Sequence, residues 1–387
     1  TIVFPQEPLI RVEAPRDEAL LIETALSMYM NHETLIATKA RRVRSVAGTD
    51  ILSEFGLRRA QGKSAALYGA RSTIIGGFNS TSNVLAAQKF GMKPSGTMAH
   101  SWVMSFATEE EAFRAYAEKY ENMLVLLVDT YDTLHQGVPN AIKTFKEVQK
   151  RRGGTMPAFY GIRLDSGDLA YLSIEARNML DAAGFGEATI FASNDLDEYL
   201  IAELKRQGAE ISAWGVGTKL ITADGSSALG GVYKLAGQWR EDGSFDPKMK
   251  FSDNEAKVTN PGRKKVLRLL YKDSGKLIGD LICLEHESID ETADFKFYNP
   301  HLPWKKKMLR KGSFSVQELL VPIFKEGKVI YDCPSLDEVK TYGETQANVI
   351  WPQYFRLVHP PENRVNISTE LFRLRQNLIE LNDHRNV

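Results

Sequence analysis

Between residues 123 and 218 the sequence alternates two patterns, and this alternation restricts the fold more than any other feature. "MLVLLVDT" (123–130) is an unbroken apolar run ending in Asp129, as expected of a strand buried on both faces. From Asn140, the residues Ala141, Ile142, Phe145 and Val148 share a helical face, and Gly153–Gly154 stop the helix. The strand "AFYGIRL" (158–164) follows, then a helix from Asp168 with Leu169, Leu172, Ala176 and Leu180, closed by Gly184. "TIFAS" (189–193) leads to a helix whose inward face reads as Leu196, Tyr199, Leu200 and Leu204, and "ISAWGVG" (211–217) is a fourth strand. Upstream, Thr108 and Glu111 in "TEEE" form a capping-box pattern, with Phe113 and Tyr116 on the apolar side.

Strands and helices at this spacing imply βαβ units and a parallel sheet. Polar residues fall at the C-terminal ends of the successive strands: Asp129, then Arg163 with Asp165 and Ser166, then Asn194 with Asp195, then Gly217 with Thr218. A (β/α) barrel builds its active site on that rim, and an open doubly wound sheet also gathers ligands at its carboxyl edge. The expected fold is α/β, an irregular (β/α) barrel over 21–234. A second, β-rich α/β domain is formed by the flanks 1–20 and 235–340, where turns such as "EDGSFD" and "KDSGK" and the cluster Lys305, Lys306 and Lys307 occur. The segment 341–387 is helical, with Leu371, Leu374, Leu378 and Leu381 on one face. "TIVFPQEPLIRV" reads as an opening strand without an initiator Met, and N-terminal sequence is expected to be missing.

The 387 residues carry 49 Lys plus Arg against 49 Asp plus Glu, so no net field favours nucleic acid or an anionic membrane, and anion binding must be local. No apolar run approaches the roughly 20 residues of a membrane span. Cys283 and Cys333 lack metal-ligand spacing and fit free thiols in a reducing cytoplasm.

Several short motifs carry chemistry. In "WGVGTKL" (214–220), Gly215, Gly217 and Thr218 follow a strand, as a phosphate cradle or a plain tight turn would. "LGGVYKL" (229–235), with Gly230, Gly231 and Lys234, reads alone as a turn into a strand. "GIRLDSGDL" (161–169) is denser. Arg163 offers a planar cationic fork, Asp165 a carboxylate, and Ser166 with Gly167 a loop able to close on a ligand, while Asp168 suits a helix cap. The alternative for Arg163 and Asp165 is a rim ion pair. Asp129 and Asp165 on neighbouring strand ends suit magnesium with pyrophosphate. In "EFGLRRAQG" (54–62), Phe55 near Arg58 and Arg59 suits an anionic aromatic ligand, or a core ring beside solvated arginines. "STSNV" (80–84) starts a helix capped by Ser82 or Asn83 and ending near Gly91. In "SGTMAHSW" (95–102), His100 reads as a packed, hydrogen-bonded histidine or as an imidazole held for chemistry.

Taken together, "FPQEPLIRV", "LIATKARR", "EFGLRRAQG", "GGFNSTSNVLA", "GTMAHSWV", "LLVDTYDTL", "GIRLDSGDL", "ASNDLDE", "WGVGTKL", "LGGVYKL", "KVTNPGRK" and "CPSLDEV" occur in an order that resembles the nicotinate phosphoribosyltransferases, a type II phosphoribosyltransferase family. The likeness runs from about Phe4 to Leu381. It implies transfer of phosphoribosyl from phosphoribosyl pyrophosphate to nicotinate, giving nicotinate mononucleotide and pyrophosphate for NAD biosynthesis. It also implies ATP hydrolysis through a phosphorylated His100 in an intact Gly-Thr-x-Ala-His-Ser pattern. By the same resemblance Thr97 and Arg163 hold nicotinate and Thr218 the phosphoribosyl phosphate. The related nicotinamide enzymes add Phe55 stacking on the pyridine, Arg58, Asp129 and Asp165 for ribose and magnesium, and Gly217 and Gly231 for phosphate. Ser166, Gly167, Asn194 and Gly215 complete the expected substrate rim. The family forms homodimers, in which a tyrosine of an N-terminal Asp-Leu-Tyr motif reaches the partner's site, and that motif is absent from these 387 residues.

Two other readings stay open, a sibling enzyme using nicotinamide and a catalytically silent phosphoribosyl-binding module. A barrel aldolase would need a strand-end lysine, for which only Lys219 is placed.

Overall fold

The computed structural model describes residues 1–251, 259–300 and 302–383. Of the motifs above, Lys257 and Val258 of "KVTNPGRK" lie outside these residues. The chain divides into two compact units, Met30–Leu229 and Thr1–Tyr29 together with Gly230–Val387. The division falls at 29/30 and 229/230, against 20/21 and 234/235 read from the sequence, and the C-terminal helices group with the β-rich flanks.

In the 30–229 unit six strands, β1 (Ile51–Glu54), β2 (Ser80–Thr81), β3 (Leu124–Leu127), β4 (Tyr160–Leu164), β5 (Thr189–Ser193) and β6 (Ala213–Val216), form one sheet in the order β2-β1-β6-β5-β4-β3. Every pairing is parallel. Among the described residues no ladder joins β2 to β3, so this is a curled, partly closed (β/α) barrel. Every residue of β3 is buried, which the apolar run required.

The helices cover the sheet as their periodicity demands. Val138–Arg151 buries Val138, Ala141, Phe145 and Val148. Leu169–Ala182 is capped by Asp168, whose carboxylate accepts the Tyr171 N–H, and buries Leu169, Ala176 and Leu180. Thr108 caps Glu109–Lys119 and Asn83 caps Val84–Phe90, which ends at Gly91 in a left-handed conformation. The helix after β5 departs from expectation. Asp197 caps it, so it begins at Glu198, and its buried positions are Glu198, Ile201 and Leu204 while Tyr199 and Leu200 face solvent.

The second unit is β-rich. Its strands are β7 (Gly237–Trp239), β8 (Phe245–Pro247), β9 (Lys264–Tyr271), β10 (Leu277–Leu284), β11 (Phe295–Asn299), β12 (Leu302–Leu309), β13 (Phe314–Glu318), β14 (Phe324–Lys325), β15 (Lys328–Val329) and β16 (Val365–Ile367). The order β13-β9-β10-β16 forms its main sheet, beside the pairs β7-β8, β11-β12 and β14-β15. Leu267, Leu269, Leu281, Cys283, Phe297 and Phe314 make one core cluster. Helix Thr369–Asp383 buries Leu371 against Ile282 and Leu284, but Leu381 near its end is exposed. Cys283 is buried and Cys333 exposed, both as free thiols. No described helix is long and apolar enough to cross a membrane.

The expected opening strand is absent. Residues 1–15 run without a ladder, because Pro5 and Pro8 carry no N–H and Gln6 takes a positive φ of 76°. This segment is anchored at one buried ion pair. Arg268 holds Asp280 through Nε and Nη2, both at 2.9 Å, and Nη2 also donates to the Ile2 carbonyl at 2.9 Å. Glu7 is buried nearby with Oε2 accepting the Phe4 N–H at 2.9 Å. Burial first, and then Asp280, push its carboxyl up to about 8 from an ordinary 4.5. The folded state thus holds this proton more tightly than the unfolded chain. The stabilisation is complete below about pH 4.5 and is lost as pH rises through about 8. Denaturant titrations across that window should show Glu7→Gln lacking a component of about one proton in the slope of stability against pH. Identical slopes would place Glu7 in water.

Candidate active site

The C-terminal ends of β3, β4 and β5 converge on Arg163 and Asp165. Arg163 closes β4 with its side chain only 15% exposed. Its Nε donates to Ser193 Oγ at 2.8 Å, Nη1 to Thr97 Oγ1 at 2.7 Å and to the Met98 carbonyl at 3.4 Å, and Nη2 to Asp165 Oδ1 at 2.7 Å. Asp165 Oδ1 also accepts the Ser193 hydroxyl. The Asp165 N–H donates to Asp129 Oδ2 at 2.9 Å, and the Ser166 hydroxyl reaches the same oxygen at 2.5 Å. Asp129 Oδ1 is a buried atom with no hydrogen-bond partner.

His100 begins the short helix His100–Met104 and joins this network. Its Nδ1 lies 3.0 Å from Thr130 Oγ1 and its Nε2 3.5 Å from Asp165 Oδ2, with the side chain 39% exposed. The packed-core alternative for this histidine is therefore set aside. Its apolar neighbours serve the helix instead: Trp102 donates to the Ala112 carbonyl at 3.1 Å and meets Tyr116 edge-on.

An aromatic wall stands beside the guanidinium. Phe55 stacks on Phe191 with centroids 5.7 Å apart, and Arg163 Cζ is 5.9 Å from the Phe55 centroid. Gly215 of β6 makes room for these rings. A Cβ there would sit 2.6 Å from Phe55 Cδ2 and 2.9 Å from Phe191 Cε1. Gly217 precedes the turn Thr218–Ile221, and Thr218 is half-buried at its start. Gly167, at φ 80°, and Ser166 are exposed in the turn after β4. Asn194 and Asp195 after β5 both have positive φ, 101° and 40°, a conformation that costs on the order of 1–3 kcal/mol per residue and clusters at ligand-binding turns.

The sequence-predicted residues thus separate into groups. Phe55, Thr97, His100, Asp129, Arg163, Asp165 and Ser166 are joined by direct contacts. Gly167, Asn194, Gly215, Gly217 and Thr218 lie on β4, β5 and β6 or the turns after them. Arg58 is exposed on the turn Leu57–Arg59, and Gly231 is an exposed residue of the other unit. Sequence reading passed over Ser193, Thr130, Phe191 and Glu109. Ser193 ends a buried run as the other rim residues do, and that signal could have found it. Glu109 is buried with Oε2 accepting Asn140 Nδ2 at 2.9 Å; burial pushes its carboxyl up, Asn140 draws it back, and Asp129 raises it further. Lys219 donates to Asp197 Oδ2 at 2.7 Å, a bond that raises its amine pKa and keeps it an ammonium rather than a Schiff-base nucleophile.

Gly215→Ala should displace Phe55 or Phe191 and destabilise the protein by about 1–3 kcal/mol, read as a lowered midpoint in denaturant unfolding. An unchanged midpoint with unchanged near-ultraviolet dichroism would contradict the ring geometry.

Comparison with known proteins identifies the family. Residues 51–235 match the family model described as nicotinate phosphoribosyltransferase (NAPRTase) family, and residues 263–375 match the nicotinate phosphoribosyltransferase C-terminal domain. The chain is 46% identical to a nicotinate phosphoribosyltransferase of Bacillus subtilis, over 95% of this chain and 74% of that protein. The crystal structure of human nicotinic acid phosphoribosyltransferase superposes with a TM-score of 0.74 at 28% identity, covering 92% of this chain and 76% of that one. A nicotinate-nucleotide pyrophosphorylase from Pyrococcus furiosus shares the fold, with a TM-score of 0.61 at 24% identity over 84% of this chain and 72% of that one. The chain belongs to the nicotinate phosphoribosyltransferase family.

Proposed function

We propose that this chain joins nicotinate to phosphoribosyl pyrophosphate, forming nicotinate mononucleotide and pyrophosphate on the path to NAD, with ATP hydrolysed through a phosphorylated His100. The observation that carries this reading is the guanidinium of Arg163, held at a strand end beside the Phe55 face and one hydroxyl away from the His100 segment. A planar anion with an aromatic ring needs both surfaces. Arg163 provides a fixed fork for the carboxylate, and the Met98 carbonyl at 3.4 Å is its weakest internal partner and the one most readily exchanged. The carboxylate requirement favours nicotinate over nicotinamide.

In the transfer the pyridine nitrogen attacks the ribose carbon with its own lone pair while the bond from that carbon to pyrophosphate breaks, so no general base is needed. The electron pair leaves with pyrophosphate. The protein's task is to orient the two reactants and to stabilise the departing charge. Ser166, Gly167, Asn194, Gly217 and Thr218 line the strand ends that would receive ribose and phosphate, and Arg58 is an exposed cation of the turn after Phe55.

Magnesium fits the donor set in a limited way. Among the described residues no three His, Cys, Asp or Glu side chains gather into a metal cage. The buried, unpartnered Asp129 Oδ1 and the Asp165 Oδ2 are the carboxylate oxygens that would hold magnesium. When bound it would neutralise the leaving group.

His100 is held suitably for phosphorylation. Nδ1 shares a hydrogen bond with Thr130 Oγ1, and Nε2 faces the Asp165 side. A phosphoryl group there adds charge and acceptor oxygens beside Arg163, which alters affinity for the pyrophosphate-bearing substrate. A homodimer in a reducing cytoplasm completes the reading, supported by the family resemblance and by two free thiols.

Incubation with labelled ATP should leave acid-labile phosphate on the protein, and none on His100→Asn; label retained by that variant would refute the phosphohistidine. Arg163→Lys should raise the KM for nicotinate at least tenfold. The KM for phosphoribosyl pyrophosphate should change little by comparison. Product formation from nicotinamide but not nicotinate would overturn the substrate assignment.

A further inference from the structure

Glu54, at the end of β1, is fully buried at 0% exposure, and both of its oxygens are engaged. Oε1 accepts the Gly56 N–H, and Oε2 accepts the Thr81 hydroxyl at 2.5 Å. The first contact fixes the turn that carries Phe55, whose own N–H donates to the Val216 carbonyl at 2.9 Å. This turn is seated tightly, since a Cβ on Gly56 would lie 2.8 Å from the Gly217 carbonyl oxygen. The second contact reaches the opposite way. Thr81 bridges Pro94 in parallel, its N–H donates to Lys93 at 3.1 Å, and its carbonyl accepts the Ser95 N–H at 2.9 Å. Ser95 opens the segment that sets Thr97 against Arg163 and His100 beside Asp165.

We propose that Glu54 is a positioning residue, a buried tie between the Phe55–Gly56 turn and the Ser95–His100 segment through which the state of the imidazole reaches the aromatic face of the pyridine site. The geometry carries the inference: one side chain hydrogen-bonds both a turn of the ring-binding wall and the strand end to which the start of the histidine segment is bridged. The choice of residue agrees. A buried acid is costly where an apolar side chain would fill the same space, so its two hydrogen bonds are what it contributes. Burial also pushes its carboxyl upward, while Thr81 and then Gly56 draw it back, so the donors offset part of the penalty. Support of this kind from a buried outer residue is how reacting groups are kept in register.

The proposal rests on the functional reading above, and its test separates the two. Thr81→Val keeps the shape and removes the hydroxyl, Thr81→Ser restores it, and Glu54→Gln keeps the Gly56 acceptor while opposing an amide N–H₂ to Thr81 Oγ1, which already accepts the Asn83 N–H at 3.0 Å. Amide hydrogen exchange of the full chain should quicken about tenfold in both 55–58 and 95–100 for Thr81→Val and Glu54→Gln, with serine close to wild type. The nicotinate KM should rise about tenfold in the same two variants, and ATP should lower it less than in wild type. Loosening of one segment alone, no loosening, or loosening with an unchanged response of KM to ATP would each overturn the tie. Should Thr81→Val fail to fold, Glu54→Gln decides alone. A wild-type protein that releases no pyrophosphate with nicotinate would end the functional reading, while the exchange result would still judge the mechanical link.

Discussion

The rim is organised around the carboxylate of Asp165. One oxygen receives Arg163 Nη2 and the Ser193 hydroxyl, the other faces His100 Nε2 at 3.5 Å, and the backbone N–H of the same residue reaches Asp129. Removing it would leave a largely buried guanidinium short of its counter-charge, a loss that costs far more than a surface ion pair contributes. Because Arg163 then holds Thr97, the position of the segment before His100 also depends on this carboxylate. Three stretches distant in sequence are thereby set against one another before any substrate arrives, which is the condition for electrostatic stabilisation without reorganisation.

That arrangement requires the strand order of the sheet. Because β6 lies between β1 and β5, Phe55 just after β1 meets Phe191 of β5 across the backbone of Gly215. A side chain at position 215 would occupy the space the rings need. The same order puts the turn after β6 under Phe55, whose carbonyl oxygen would stand 3.2 Å from a Cβ on Gly217. Positive φ at Asn194 and Asp195 is tolerated between these elements because β5 and the Asp197-capped helix hold the turn from both sides.

What the sequence disclosed, and what it withheld, follows from the range of the forces involved. The strands β3 to β6 were legible because burial on both faces leaves a continuous apolar run, and Asp129, Arg163 and Asp165 were legible as polar residues ending such runs. The opening segment has the composition of a strand but forms none, because Pro5 and Pro8 deny it a ladder. The helix after β5 docks through Ile201 and Leu204, so Tyr199 and Leu200, apolar in the sequence, face solvent. Thr130 on His100, Phe191 on Phe55 and the double duty of Glu54 were beyond periodicity altogether. Each depends on which strands and segments become neighbours, and parallel pairing brings together residues that spacing alone keeps apart. Gly215 shows the limit best: its letters suggested a turn or a phosphate cradle, whereas the structure also uses it to admit two rings.

The half-exposed state of His100 follows from the same logic. Full burial would exclude a phosphoryl donor, and full exposure would leave the ring free to rotate, so neither extreme suits the phosphorylation proposed for this nitrogen. Thr130 fixes the ring through Nδ1 and leaves Nε2 toward Asp165, a charge that attracts an imidazolium and repels a phosphoryl group. A phosphoryl group on His100 would therefore add repulsion at Asp165, with Arg163 the cation hydrogen-bonded to that carboxylate. Since Arg163 also bears on Thr97 and Phe55, a change of charge on one imidazole nitrogen has a short, continuous path to the surface proposed to take the pyridine.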